Sequence, residues 1–193
     1  MINPESLNSL PNHLPVLLNE VIEMLNIKPN STIFDGTVGL GGHGLSVLSK
    51  LNKSGKLIGV DSDLMAIEYS ENQLSKHSNN FSLHHNTYEK IDEILSSIKV
   101  DKVDGILLDL GLSSMQLDSK DRGFSFNCDN ELDMRFNIKD DTNALDLISL
   151  SSEKELANII YTYGEERKSR IIAKSIKNST IKKVPDLVKA INK

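Results

Sequence analysis

Between residues 32 and 110 the apolar positions follow two alternating rhythms. Short runs such as Ile33-Phe34, Leu57-Ile58 with Val60, Phe81 with Leu83, and Ile106-Leu107-Leu108 are separated by stretches where apolar residues return every three or four positions. The first rhythm predicts strands over 32–35, 57–61, 81–85 and 103–110; the second predicts helices over 63–76 and 88–98. Leu45, Val47, Leu48 and Leu51 mark a further helix between the first two strands, and Ser62 or Asp63 is placed to cap the helix after the second. An amphipathic helix is expected over 16–25, behind a polar, proline-bearing arm over 1–15. Strands and helices alternating at this pitch predict a doubly wound α/β layer. The centre of the fourth strand, Ile106 to Leu108, is apolar on both faces, as a strand covered by helices should be.

Past Leu110 the pattern changes. Residues 111–130 read as one long loop rich in Ser, Asp and Gly, a length that usually carries function. From residue 142 onward the periodicity is helical, over 144–150, 153–163, 167–177 and 187–191. The expected division is a core over 1–134 and an all-α subdomain over 135–193.

Composition narrows the class only a little. With 38% apolar and 25% charged residues the chain is ordinary globular protein. A lone cysteine, Cys128, excludes an internal disulfide framework and suits a reducing compartment. No apolar run approaches the ~20 residues of a membrane span, so a cytoplasmic protein is expected. Charge changes the picture more. Residues 164–193 hold 9 basic and 3 acidic groups, a net of +6, whereas the other 163 residues sum to −11. The basic end can meet a polyanion or serve as a solvated face; charge alone does not choose.

The candidate chemistry gathers at the strand ends. Asp35, Asp61 and Asp109 close strands one, two and four, and the stretch Gly39-Leu40-Gly41-Gly42-His43-Gly44 follows Asp35. Glycines there allow a sharp strand-to-helix turn and close approach of a ligand to the backbone. The stretch formally fits G-x-G-x-x-G, with Asp61 22 residues after Gly39, so a NAD-binding oxidoreductase is one reading. In dinucleotide folds, however, the strand runs straight into the first glycine. An acid, a short spacer and then G-x-G is the arrangement of S-adenosylmethionine methyltransferases. Asp61 would accept two ribose hydroxyls, and Asp109 lies across the topological switch. Neither a metal-ligand spacing nor a thiol nucleophile is evident.

Several motifs in order resemble one family, the bacterial RsmH or MraW methyltransferases, which methylate N4 of a cytidine in the decoding region of 16S ribosomal RNA. His13 to Glu20 looks like its opening helix, Asp35 to His43 like its first cofactor motif, and Asp104 to Ser114 with Gln116-Leu117-Asp118 like its fourth-strand signature. Arg122-Gly123-Phe124-Ser125-Phe126, Leu132-Asp133-Met134-Arg135 and Tyr163-Gly164-Glu165-Glu166-Arg167 continue the likeness. Met115 stands where the family usually has proline. The resemblance implies a Rossmann-like class I sheet with an inserted helical subdomain. It also implies S-adenosyl-L-methionine as cofactor, held by Gly41, Gly42, His43, Asp61, Tyr88, Asp109 and Gln116.

Catalysis would fall to Asp109, with Ser113 as a weaker candidate, because the delocalised cytosine amine needs an acceptor to bring its lone pair into line. The expected partner is 16S rRNA or the small ribosomal subunit, met by the basic helices and Lys174, Lys177, Lys182 and Lys183 in particular. No membrane or metal is expected, and a homodimer stays open. Family members continue past this helical segment with further strands, so the resemblance implies a truncated chain, and a non-catalytic cofactor- or RNA-binding module is a third reading.

Overall fold

The computed structural model describes residues 15–119, 121–127 and 129–192. The expected arm, apart from Pro15, therefore lies outside the described residues, as do His13 and Cys128. In chain order the elements are α1 (Leu18–Leu25), β1 (Thr32–Asp35), α2 (Gly42–Lys50), β2 (Lys56–Asp61), α3 (Leu64–Leu74) and β3 (Phe81–His85). A 3-10 turn (Tyr88–Lys90), α4 (Ile91–Ser97), β4 (Gly105–Leu107), α5 (Ser114–Asp118), α6 (Ala144–Leu150), α7 (Glu153–Gly164), α8 (Ser169–Lys177) and α9 (Val184–Ile191) follow. The chain divides into two compact units, the first ending at Ser113 and the second beginning at Ser114.

In the first unit all four strands are parallel, in the order β3-β2-β1-β4. Side chains alternate across β1, so Ile33 and Phe34 feed different cores. Ile33 packs with Val47, Leu48, Leu57 and Leu74, against α1, α2 and α3, whereas Phe34 joins Ile58, Val60 and Ile94 under α4. Helices thus cover both faces, as the alternating pattern predicted. Asp63 caps α3 by accepting from the Met65 N–H at 3.0 Å.

The fourth strand departs from expectation. It spans residues 105–107 rather than 103–110 and stands at the edge of the described sheet, with Ile106 52% exposed. One flank is partnered by β1 and the other has no strand among the described residues. The chain extends the pairing with a side chain, for the Asp104 carboxylate accepts from the Thr32 N–H at 2.7 Å.

The second unit begins earlier than the change of periodicity near residue 135. Residues before that point bond into the helices: Asn130 accepts from the Val184 N–H, Leu132 from Leu145 and Asp133 from Ala144. The stretch expected as a structureless loop contains α5 and is tied to the residues that follow it. The Arg122 guanidinium donates to the carbonyls of Arg135 and Phe136 at 2.7 and 2.6 Å, and Arg135 pairs with Asp133 at 2.6 Å. Leu156, Ala157, Ala173, Ile176 and Ala190 form the core of this unit, drawn from α7, α8 and α9.

Candidate active site

Parallel strands align their carboxyl ends, so the acids that close them meet on one side of the sheet. Asp35 is buried at the tip of β1. Its Oδ1 accepts from the Thr37 N–H at 3.1 Å, and its Oδ2 has no partner among the described residues. Burial lifts its pKa from 3.8 to about 7; the Thr37 bond opposes the shift, and the charges of Asp61 and Asp109 add to it. Asp35 thus lies near both of the other acids that close strands, on the side of the sheet where the parallel strands end.

Asp61 organises the glycine loop. Its Oδ2 accepts from the Gly39 N–H and its Oδ1 from the Asp63 N–H, both at 2.9 Å. Burial raises its pKa, while those two bonds hold it back. Each oxygen keeps lone-pair capacity for a further donor. Gly39 and Gly41 take positive φ, 51° and 79°, so the turn into α2 needs them. Gly42 and His43 lie in the first turn of α2, where backbone N–H groups have no intrahelical acceptor and favour an anion. The missing Cβ of Gly42 makes room for the Pro15 ring.

His43 is buried and its Nε2 lies 3.1 Å from the Val16 carbonyl, which can only accept, so Nε2 carries the proton. Its Nδ1 lies 3.8 Å from Oδ2 of Asp109, whose side chain is half-exposed beyond the end of β4. The Asp109 N–H donates to Thr37 Oγ1 at 2.7 Å, fastening the end of β4 to the loop after β1. Gly36 allows this closure, since a Cβ there would fall 2.6 Å from Leu108 and 2.8 Å from Tyr88. Tyr88, 39% exposed, opens the 3-10 turn just after β3.

Six of the site residues expected from sequence, Gly41, Gly42, His43, Asp61, Tyr88 and Asp109, therefore lie in the first unit around one set of strand tips. Ser113 closes that unit and Gln116 belongs to α5 of the second. Sequence reasoning weighed Asp35 evenly between roles and passed over Thr37. The signal for both was their position, at and just after a strand end ahead of the glycines.

The basic helices need correction. Lys177 Nζ donates to the carbonyls of Ile148, Ser149 and Ser151 at 2.8, 3.3 and 2.7 Å, closing the end of α6, and Lys183 pairs with Asp129 at 3.1 Å. Lys177 thus serves the fold of the second unit, whereas Lys183 makes a solvent-exposed ion pair that contributes little to it. Replacing Lys177 with methionine should lower unfolding free energy by about 1–2 kcal/mol in urea titrations, the cost of charged hydrogen bonds to carbonyls left unpaired. Among the described residues no group of His, Cys, Asp and Glu is placed to hold a metal, and no helix is long and apolar enough to cross a membrane.

A parallel β3-β2-β1-β4 sheet, with acids at its tips and a glycine turn into α2, is the arrangement of a Rossmann-like α/β nucleotide-binding sheet. The chain belongs to the MraW methylase family, whose model matches residues 11–193. It is 43% identical over 186 residues to the ribosomal RNA small subunit methyltransferase H of Caldicellulosiruptor saccharolyticus, a match covering 93% of this chain and 60% of that protein. The protein of the same name from Fusobacterium nucleatum is 44% identical over 185 residues, covering 94% and 59%. That from Clostridium botulinum is 46% identical over 164 residues, covering 85% and 53%. The chain thus spans a little over half the length of these curated relatives.

Proposed function

We propose that this chain forms the cofactor-binding part of an S-adenosylmethionine-dependent methyltransferase that modifies the exocyclic N4 amine of a cytidine in the decoding region of 16S rRNA. The observation that supports it most is the strand-tip cluster, in which Asp61 holds the glycine loop while Asp35 keeps one buried oxygen without a partner. The residues fit the cofactor. Asp61 would accept from the ribose hydroxyls, the Asp35 Oδ2 would accept from the amino-acid ammonium, and the first turn of α2 would face the carboxylate. Tyr88 would lie beside the adenine.

When bound, the group supplies an electrophilic methyl on a sulfonium. Asp109 would accept a hydrogen bond from the target NH2, drawing the amine towards sp3 geometry, and would receive the proton lost when the N–C bond forms. Ser113 would offer a second acceptor. The base must leave its stack to be reached.

Calorimetric titration separates the readings. Binding of S-adenosylmethionine without binding of NADH is expected; the reverse result would replace the methyltransferase with an oxidoreductase. Transfer of a tritiated methyl group to small subunits lacking the modification then distinguishes an enzyme from a binding module.

A further inference from the structure

Helices α7 and α8 form a hairpin, packed through Leu156, Ala157, Ala173 and Ile176 and joined by residues 165–168. Its inner side fills the core of the second unit. Its tip does the opposite: Tyr161 and Tyr163, in the last turn of α7, are 58% and 84% exposed. Arg167, Lys168 and Arg170 are exposed in the next few residues, and Lys174 lies one turn further along the outward side of α8. No ion pair among the described residues engages these four cations. Glu165 and Glu166 offset part of the charge and leave the tip positive.

Two solvent-facing aromatic rings beside uncompensated cations match one chemistry well. An unpaired base stacks on an aromatic face whatever its identity, and the neighbouring phosphates seek cations. A base-paired A-form duplex hides its base faces, so the rings would gain nothing from it. A protein surface could also seat on tyrosine and arginine. The net +6 over residues 164–193, against −11 elsewhere, favours a polyanion.

We propose that the tip of the α7–α8 hairpin is a stacking site for unpaired bases of an RNA strand, in which Tyr161 and Tyr163 carry the bases and Arg167, Lys168, Arg170 and Lys174 hold the flanking phosphates. The inference rests on the rRNA reading above and adds to it the form of RNA met and the residues that meet it. It also moves the contact away from Lys177, whose ammonium is taken up by three carbonyls.

The test is fluorescence anisotropy of the 193-residue chain with a labelled, unstructured oligoribonucleotide and with an RNA duplex. The Tyr161→Ala/Tyr163→Ala variant should bind the single strand roughly ten- to a hundredfold more weakly, with an unchanged salt slope. Tyr161→Phe/Tyr163→Phe should bind close to wild type, since a phenyl ring stacks as well. Arg170→Glu/Lys174→Glu should weaken binding and flatten the dependence on log salt by about one unit or more.

Wild-type affinity in the alanine variant would overturn the proposal. So would equal losses for strand and duplex, or sedimentation showing that the tyrosines join two copies of this chain. The variants lie on the surface, and each is also titrated with S-adenosylmethionine. A chain that binds RNA through the tip but not the cofactor refutes the methyltransferase reading and leaves the tip standing. Cofactor binding with RNA affinity indifferent to the tyrosines does the reverse.

Discussion

Replacing Asp61 with alanine is expected to lower affinity for S-adenosylmethionine by at least about a hundredfold in calorimetric titration. Two charged hydrogen bonds to a ribose diol contribute roughly 1.5–3 kcal/mol each, and about 1.4 kcal/mol corresponds to a factor of ten. The substitution also releases the N–H groups of Gly39 and Asp63, so the glycine loop loses the anchor that shapes it. Asp61→Asn separates the two contributions. The amide keeps the size but turns one acceptor into a donor facing a backbone N–H, so binding should fall part of the way. Unchanged affinity in Asp61→Ala would remove the ribose assignment.

The second large effect concerns Asp35, where stability and binding should move in opposite directions. Its folded pKa of about 7 lies above the ordinary 3.8, so the native state holds a proton that the unfolded chain releases between those values. Stability from this group is complete below about pH 4 and is lost as pH rises through 7, a change on the order of 4 kcal/mol. Asp35→Asn keeps an acceptor for the Thr37 N–H and cannot ionise. The variant should therefore be more stable than wild type at pH 8, with a flatter profile, as read from urea midpoints across pH 5 to 8. Its amide nitrogen cannot accept from an ammonium, so cofactor affinity should fall. A wild-type chain whose stability does not decline over that range would show that the carboxylate is paired in solution.

How far these features could be read from the chain varies with their physical origin. The strands at 32–35 and 81–85 and the helix at 144–150 have the bounds their patterns predicted, because short apolar runs between polar turns and a capping asparagine at Asn143 are local signals. The meeting of Asp35, Asp61 and Asp109 was legible too, since parallel strands leave their ends no other common side. The fourth strand was drawn too long because an apolar run does not mark where pairing with β1 stops. Lys177 was misjudged because its three carbonyl partners lie 26 to 29 residues away, and nothing in a run of basic residues tells a clasp from a phosphate contact. Asp35 stayed ambiguous because its meaning depends on burial without a second partner.

The bond that completes the strand-tip cluster reaches far along the chain: Asp109 to Thr37 bridges 72 residues, as does Asp104 to Thr32 at the opposite ends of the same two strands. Closing so long a loop costs entropy before any contact rewards it, and such contacts form slowly. During synthesis β1, β2 and β3 leave the ribosome before the segment that carries Asp109. The strand-tip cluster is thus among the last parts of the first unit to take shape, complete only once Asp109 has been made.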